Sequence, residues 1–411
     1  NYDKSEKYFI KSIAINPESY QAYFNCANVY TDMLDHNKAI DYFKSALKIN
    51  KDFAEAHQRL GETYQELYKD DRNINHIIKS IVCFNRILDK KLSFTIPSFK
   101  YNATLISLAL SYLWIEDIDN ADKYFNEINA KNYRDKEYIN SYINNYLKTE
   151  DSITTLIRHE YEQLTYMDND TDEIRNTKFF KKYYEELKQL YMAIKDNTFN
   201  ISDVSENLKV EIPKILYNKS PELDSNNFIN QNNNIKKLEL EYFDNDPELL
   251  VIDNFLSEDC LLEIQKYCRN ANIFKYPYEN GYVGAFLSRG LSNKFILKMS
   301  EDIRLTYRKI FENTKLVQAW IFKYDSNKKG INVHADPAKI NVNFWVTPNT
   351  GNLDSNSGGL RVWNKVPPED WDFRQYNSDV TKMKKFLLDN KSTEQRIPYR
   401  ENRAVIFNSK L

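Results

Sequence analysis

Glycine is scarce, with 8 in 411 residues, and so glycine-poor a chain is expected to be dominated by helices. Cysteine is rarer still. Cys26, Cys83, Cys260 and Cys268 form no Cys-x-x-Cys pair, so a disulfide framework does not fit and each is expected to be a buried, reduced thiol. Neither sign of charge prevails: 57 Lys and Arg stand against 59 Asp and Glu. That balance argues against nucleic acid or an anionic membrane as the main partner, although it allows a local basic patch. No apolar run approaches a membrane span, and no charged-then-apolar leader opens the chain. A cytoplasmic protein without membrane or nucleic-acid partners is expected. The chain does not begin with Met, which leaves room for residues before Asn1.

What the sequence does contain is length, aromatic residues and a repeat. At 411 residues it exceeds one ordinary core, so two or three domains are expected. A shift of 34 residues lays Phe9 on Phe43, Ile13 on Leu47, Tyr23 on His57, Ala27 on Gly61 and Tyr30 on Tyr64. Ala109, Tyr112, Ala121 and Phe125 repeat the spacing of Ala27, Tyr30, Ala39 and Phe43. Each unit reads as two amphipathic helices, with a small residue where the helices approach closely and an aromatic residue filling the joint. One such unit cannot bury its own apolar stripe, so the units must stack. This pattern over about residues 1–130 resembles the tetratricopeptide repeat. The resemblance implies an α-solenoid with a peptide-binding groove, and Asn25, Asn28, Arg59 and Glu62 are candidates to line it. A solvated helix face is the plain alternative for the same four residues.

Residues 131–200 keep a helical pattern and are read as an extension or cap, with His159 as an ordinary helix histidine. Residues 201–245 are read as linker and lead-in strands. The stretch SPELDSNNFINQNNNIKK, 220–237, reads as a polar linker open to proteolysis. From 246 to 411 short β-branched or aromatic runs alternate with turn residues. PELLVIDNFLSEDCLLEIQKYCRNA reads as a strand and then a helix capped at Ser257. Further strands are expected in KLVQAWIFKYD, GINVHAD, AKINVNFWVTP, GGLRVWNKV and ENRAVIFNS. Such a set suggests a sandwich, barrel or jelly roll.

His334 and Asp336 stand two apart at the end of one of these runs. In a strand, residues i and i+2 share a face, so an imidazole and a carboxylate converge there. With a second imidazole they make the facial triad of a non-haem iron(II) site. A surface turn capped by Asp336 explains the same motif without a metal.

The order Tyr324, Gly330, His334–Asp336, NVNFWVTP, SGGLRVW and RENRAVIFNS resembles the iron(II)/2-oxoglutarate-dependent dioxygenases, nearest their prolyl-hydroxylase-like branch. The resemblance covers about 245–411. It implies a double-stranded β-helix (jelly roll), with His334 and Asp336 as metal ligands and catalytic residues, iron(II) as cofactor and 2-oxoglutarate as co-substrate. Tyr324 is a candidate for a hydrogen bond to 2-oxoglutarate or a packed strand tyrosine. Asn343 and Trp345 share a face of the next strand and could line the pocket, Trp345 more naturally as core. Arg361 could meet an anion or lie solvated. The family also needs a distal histidine after the strand matching RAVIFNS and then a basic residue. His334 is the last histidine here, so a chain truncated at its C-terminus is expected.

The expected architecture is thus multidomain α plus β, an N-terminal solenoid before a jelly roll. The expected function is a hydroxylase whose repeats recruit a protein or peptide. A non-catalytic repeat scaffold with a degenerate oxygenase fold and a cupin-like enzyme acting on a small metabolite remain alternatives.

Overall fold

A computed structural model describes residues 2–89, 98–167, 172–223, 227–278, 281–324, 334, 336, 338–353, 358–368, 371 and 380–409. The chain divides into two compact units, Asn1–Asp135 with Leu287–Leu297, and Lys136–Phe286 with Lys298–Leu411.

The first unit is a row of helices: α1 (Tyr2–Ile15), α2 (Tyr20–Asp32), α3 (His36–Ile49), α4 (Ala54–Asp71), α5 (Ile74–Leu88), α6 (Ser98–Trp114) and α7 (Ile118–Asn132). Side chains of Ser19, Asp35, Asn73 and Asp117 accept from first-turn N–H groups and fix where α2, α3, α5 and α7 begin. Each helix packs on the next, and α2, α4 and α6 also pack in succession. The 34-residue register is therefore a packing register. Ala27, Ala39, Phe43, Ala109, Ala121 and Phe125 are all buried. At Gly61 a Cβ would lie 2.6 Å from the Phe84 ring, so the absent side chain is what lets α5 close on α4.

Leu287–Leu297 completes this unit. Its Leu287, Leu291, Phe295 and Leu297 are buried. Lys294 pairs with Asp119 at 2.6 Å, and the Ser292 hydroxyl donates to Asp122 at 3.4 Å, both acceptors lying on α7.

The second unit begins with α8 (Lys136–Tyr146), α9 (Glu150–Tyr166), α10 (Asp172–Arg175), α11 (Lys178–Lys195), α12 (Glu206–Glu211) and α13 (Ile235–Asp244). The strands are β1 (Leu249–Ile252), β2 (Tyr276–Tyr278), β3 (Tyr282–Phe286), β4 (Trp320–Tyr324), β5 (Ile340–Phe344), β6 (Leu360–Trp363), β7 (Glu394–Ile397) and β8 (Ala404–Asn408). Among them lie α14 (Glu258–Asn270), α15 (Lys294–Thr306), whose first four residues belong to the Leu287–Leu297 segment of the first unit, and α16 (Val380–Asp389). Ser257 caps α14 by accepting from Cys260 N–H.

Three small antiparallel sheets form, in the orders β1-β8-β5, β2-β3-β4 and β6-β7. A closed double-stranded β-helix is not seen among the described residues. What is seen is a sandwich core. Leu249, Val251, Trp345, Val405 and Phe407 from the first sheet and its edge pack against Leu360, Val362 and Ile397 from the β6-β7 pair. Burying such side chains contributes roughly 1.5–3 kcal/mol each. Gly359, at φ +80°, enters β6 where any side chain would collide with the Ile397 carbonyl, which accounts for the Gly-Gly step.

Helix α9 packs on α11, α14, β2 and β3. Its Glu160 is buried and takes three donors on Oε1: Lys275 Nζ at 2.7 Å, the Tyr183 hydroxyl at 3.0 Å and Asn272 Nδ2 at 3.1 Å. The Tyr142 hydroxyl donates to the Lys275 carbonyl. Burial pushes the Lys275 amine down from its ordinary value, and Glu160 opposes that shift.

The segment read as a loose linker is not one. Phe228 and Ile229 are buried, their N–H groups donate to Asp302 Oδ2, and Ile229 bridges to Leu256. Its asparagines satisfy local backbone: Asn230 accepts from Asn232 N–H, Asn233 donates to the Asn254 carbonyl, and Asn234 caps α13. Polar composition here marks capping and turns, while two apolar residues do the anchoring.

Candidate metal centre

The backbone brings His334 and Asp336 together from irregular chain, since neither residue lies in a regular strand. The expected strand GINVHAD lies, apart from these two residues, outside the described residues, as do Gly330 and Pro337. His334 Nε2 stands 3.6 Å from Asp336 Oδ1. That is too long for a hydrogen bond. It is short enough for one ion to bridge, because metal bonds to histidine nitrogen and carboxylate oxygen run about 2.0–2.2 Å each. The donor set is hard and mixed, one imidazole and one carboxylate. His334 is exposed, whereas Asp336 is mostly covered.

Three features hold Asp336 in place. Its N–H donates to the Ser409 carbonyl at 3.3 Å. Its second carboxylate oxygen, Oδ2, accepts from Asn341 Nδ2 at 2.6 Å. Its own carbonyl accepts from Ala338 N–H at 2.8 Å, tightening the turn. Ser409 then donates from its hydroxyl to the Ala338 carbonyl and from its N–H to the Lys339 carbonyl. The turn after Asp336 is thus stapled to the end of β8.

Asn343 lies on β5 directly opposite Val405 of β8, and Asn341 lies opposite Phe407. Opposed residues of an antiparallel pair share a face. Both asparagines therefore stand on the face that carries the sandwich core. Trp345, two further on, packs into that core and against Tyr399 at 6.1 Å. Tyr324 ends β4 in a different sheet, its ring 5.4 Å from Tyr282. Partial burial, with Tyr282 beside it, pushes its hydroxyl well up, although half of its surface is open. Arg361 is solvated on β6 and pairs with Glu394 at 3.5 Å, so it is engaged across the strand pair. Among the described residues no group of three or more His, Cys, Asp or Glu is placed to hold a metal ion.

Sequence reasoning missed Asn341 and Ser409. For Asn341 the sequence showed only a polar residue within a strand run, and its position opposite Phe407 comes from the pairing of β5 with β8. Ser409 carried no signal, because its role depends on how two distant segments meet.

A second polar constellation lies in the first unit. Arg59 Nε donates to Asn28 Oδ1 at 3.1 Å, and its Nη1 donates to Glu62 at 3.1 Å. Gln58 donates to Glu62 at 2.8 Å and accepts from the Thr104 hydroxyl at 2.7 Å. The four hydrogen bonds make one seam across α2, α4 and α6. Asn28, Arg59 and Glu62 were expected on this face; Gln58 and Thr104 were not, as neither stands out without its neighbour. Asn25, the fourth expected residue, is half-buried on α2.

Among the described residues no helix is long and apolar enough to cross a membrane. Comparison with curated proteins finds no match. Residues 20–53, which span α2, α3 and the turn into α4, match the family model of the tetratricopeptide repeat, a repeat class that generally mediates protein–protein interaction.

Proposed function

We propose that the chain is an iron(II)/2-oxoglutarate-dependent hydroxylase whose repeats recruit a protein or peptide. The observation that carries the reading is the approach of His334 to Asp336, 3.6 Å apart, beside the end of β8. The strand pairing supports it. β5 and β8 pair in one sheet and β6 and β7 in another, and residues of the two pairs pack together, which supports a jelly-roll reading.

His334 and Asp336 would hold the metal. Iron(II) with 2-oxoglutarate, when bound, supplies the activation of dioxygen that hydroxylates an unactivated C–H bond. The chain's own part is positional. Asn341 and the Ser409 backbone fix Asp336. Asn343 stands on that face as a polar group for the co-substrate. Tyr324 would contribute a hydroxyl held in its protonated form. The resemblance puts the third ligand after the strand matching β8, and Ser409, which follows β8, accepts from the Asp336 N–H. The seam from Asn28 to Thr104 would meet the recruited chain.

The test is succinate formation from 2-oxoglutarate with iron(II), ascorbate and dioxygen by a longer chain that carries the distal histidine and basic residue the family needs, beside the same chain with Asp336→Ala. Turnover that the variant loses supports the reading, and equal turnover by both overturns it. A second reading, a repeat scaffold carrying a degenerate oxygenase fold, rests on the repeat match, which speaks for protein binding and is silent on chemistry. Partner capture with no turnover by either protein selects it.

A further inference from the structure

Asp336 has two carboxylate oxygens with different surroundings. Oδ1 faces His334 Nε2 at 3.6 Å, and Oδ2 takes the Asn341 amide at 2.6 Å. Asn341 is itself 8% exposed, on the second residue of β5, in register with Phe407 of β8. Strand pairing therefore fixes its backbone on one side, with Phe407 directly opposite it on β8. A carboxylate free to rotate about its last bond would offer either oxygen, or both, to an ion. With Oδ2 held by a neutral donor, only Oδ1 is left to point at the imidazole. An amide does this without adding charge, whereas a lysine there would cancel the carboxylate's attraction for a cation.

We propose that Asn341 is the positioning residue of the metal centre, holding Asp336 so that one oxygen binds a divalent cation together with His334. The inference rests on the reading of His334 and Asp336 as ligands, and it adds a residue that the motif does not contain. Hydrogen bonds to ligating carboxylates typically govern metal affinity by about 10–100-fold. Loss of the Asn341 amide is expected to weaken binding by that factor while leaving the ligands themselves in place.

Mn(II) serves as the probe, because its paramagnetic spectrum reports both affinity and coordination symmetry without turnover. Four proteins are compared, the full chain, Asp336→Ala, Asn341→Ala and Asn341→Leu. The leucine variant keeps the volume between the sheets, so it folds even where the alanine variant does not. The expected result is Mn(II) binding by the wild type, none by Asp336→Ala, and binding about 10–100-fold weaker with a broadened spectrum in Asn341→Leu, at an unchanged metal-free melting temperature. Wild-type affinity and spectrum in Asn341→Leu, with Asp336→Ala still inactive in binding, would overturn the positioning role and leave the ligand pair standing. Equal binding by wild type and Asp336→Ala would overturn the ligand pair, and the positioning role with it.

Discussion

Glu160 and Lys275 form an ion pair of 2.7 Å at which both side chains are 2% exposed. Removing one partner from such a pair strands a buried charge, which costs about 3–5 kcal/mol, whereas replacing both with apolar groups of similar volume is often neutral. Lys275→Met is therefore expected to destabilise the second unit by about 3–5 kcal/mol, and Glu160→Met with Lys275→Met to recover most of it. Denaturant unfolding measures both. A single variant that costs less than about 1 kcal/mol would show the pair to be marginal.

Gly61→Ala places a Cβ 2.6 Å from the Phe84 ring, and that ring is fully buried. Overpacking of this kind costs typically about 1–3 kcal/mol. The melting temperature of the repeats should fall, and Phe84→Leu in the same chain should restore part of it. An unchanged melting temperature for Gly61→Ala would mean that α4 and α5 have slack the packing does not suggest.

Three thiols give a pH dependence. Burial pushes Cys83, Cys260 and Cys268 up from 9.0 to about 12. In the unfolded chain each loses its proton near pH 9; in the folded chain each keeps it until about 12. The folded state therefore binds more protons in this window, and stability falls as pH rises from 9 to 12, by up to about 1.4 kcal/mol per pH unit for each thiol. Chemical unfolding between pH 8 and 11 checks this, with Cys260→Ala expected to flatten the slope. A slope unaltered by that change would assign the alkaline loss to other groups.

Arg59 pairs with Glu62, both about a third exposed, and reaches Asn28. Exposed pairs contribute about 0–1 kcal/mol, so Arg59→Ala should barely move the melting temperature. Proteins retained by the wild-type chain should be lost by the variant. Equal retention would place recognition on another face.

The repeats were legible because their signal is local and redundant: Ala27, Phe43 and their copies recur at a period the packing must obey. Most strands were legible too, from β1, β4, β5, β6 and β8. β2 and β3 were not expected, and neither was β7, since Glu394, Gln395 and Arg396 are exposed and show no apolar alternation. The anchoring of Phe228 and Ile229 was hidden by the asparagines around them. At the candidate centre the two proposed ligands stand two apart in sequence and could be named. Their supports, Asn341 and Ser409, come from a strand pairing that only long-range packing defines.

Leu287–Leu297 belongs to the helical unit, although about 150 residues of the second unit separate it from α7. A ribosome adds roughly 5–20 residues per second. The helical unit thus waits on the order of 10–30 s after α7 has been made before its last piece exists. For that interval Asp119 and Asp122 of α7 are without Lys294 and Ser292, and the cluster that buries Leu287, Leu291, Phe295 and Leu297 does not exist. Expression of residues 1–135 alone would make that interval permanent.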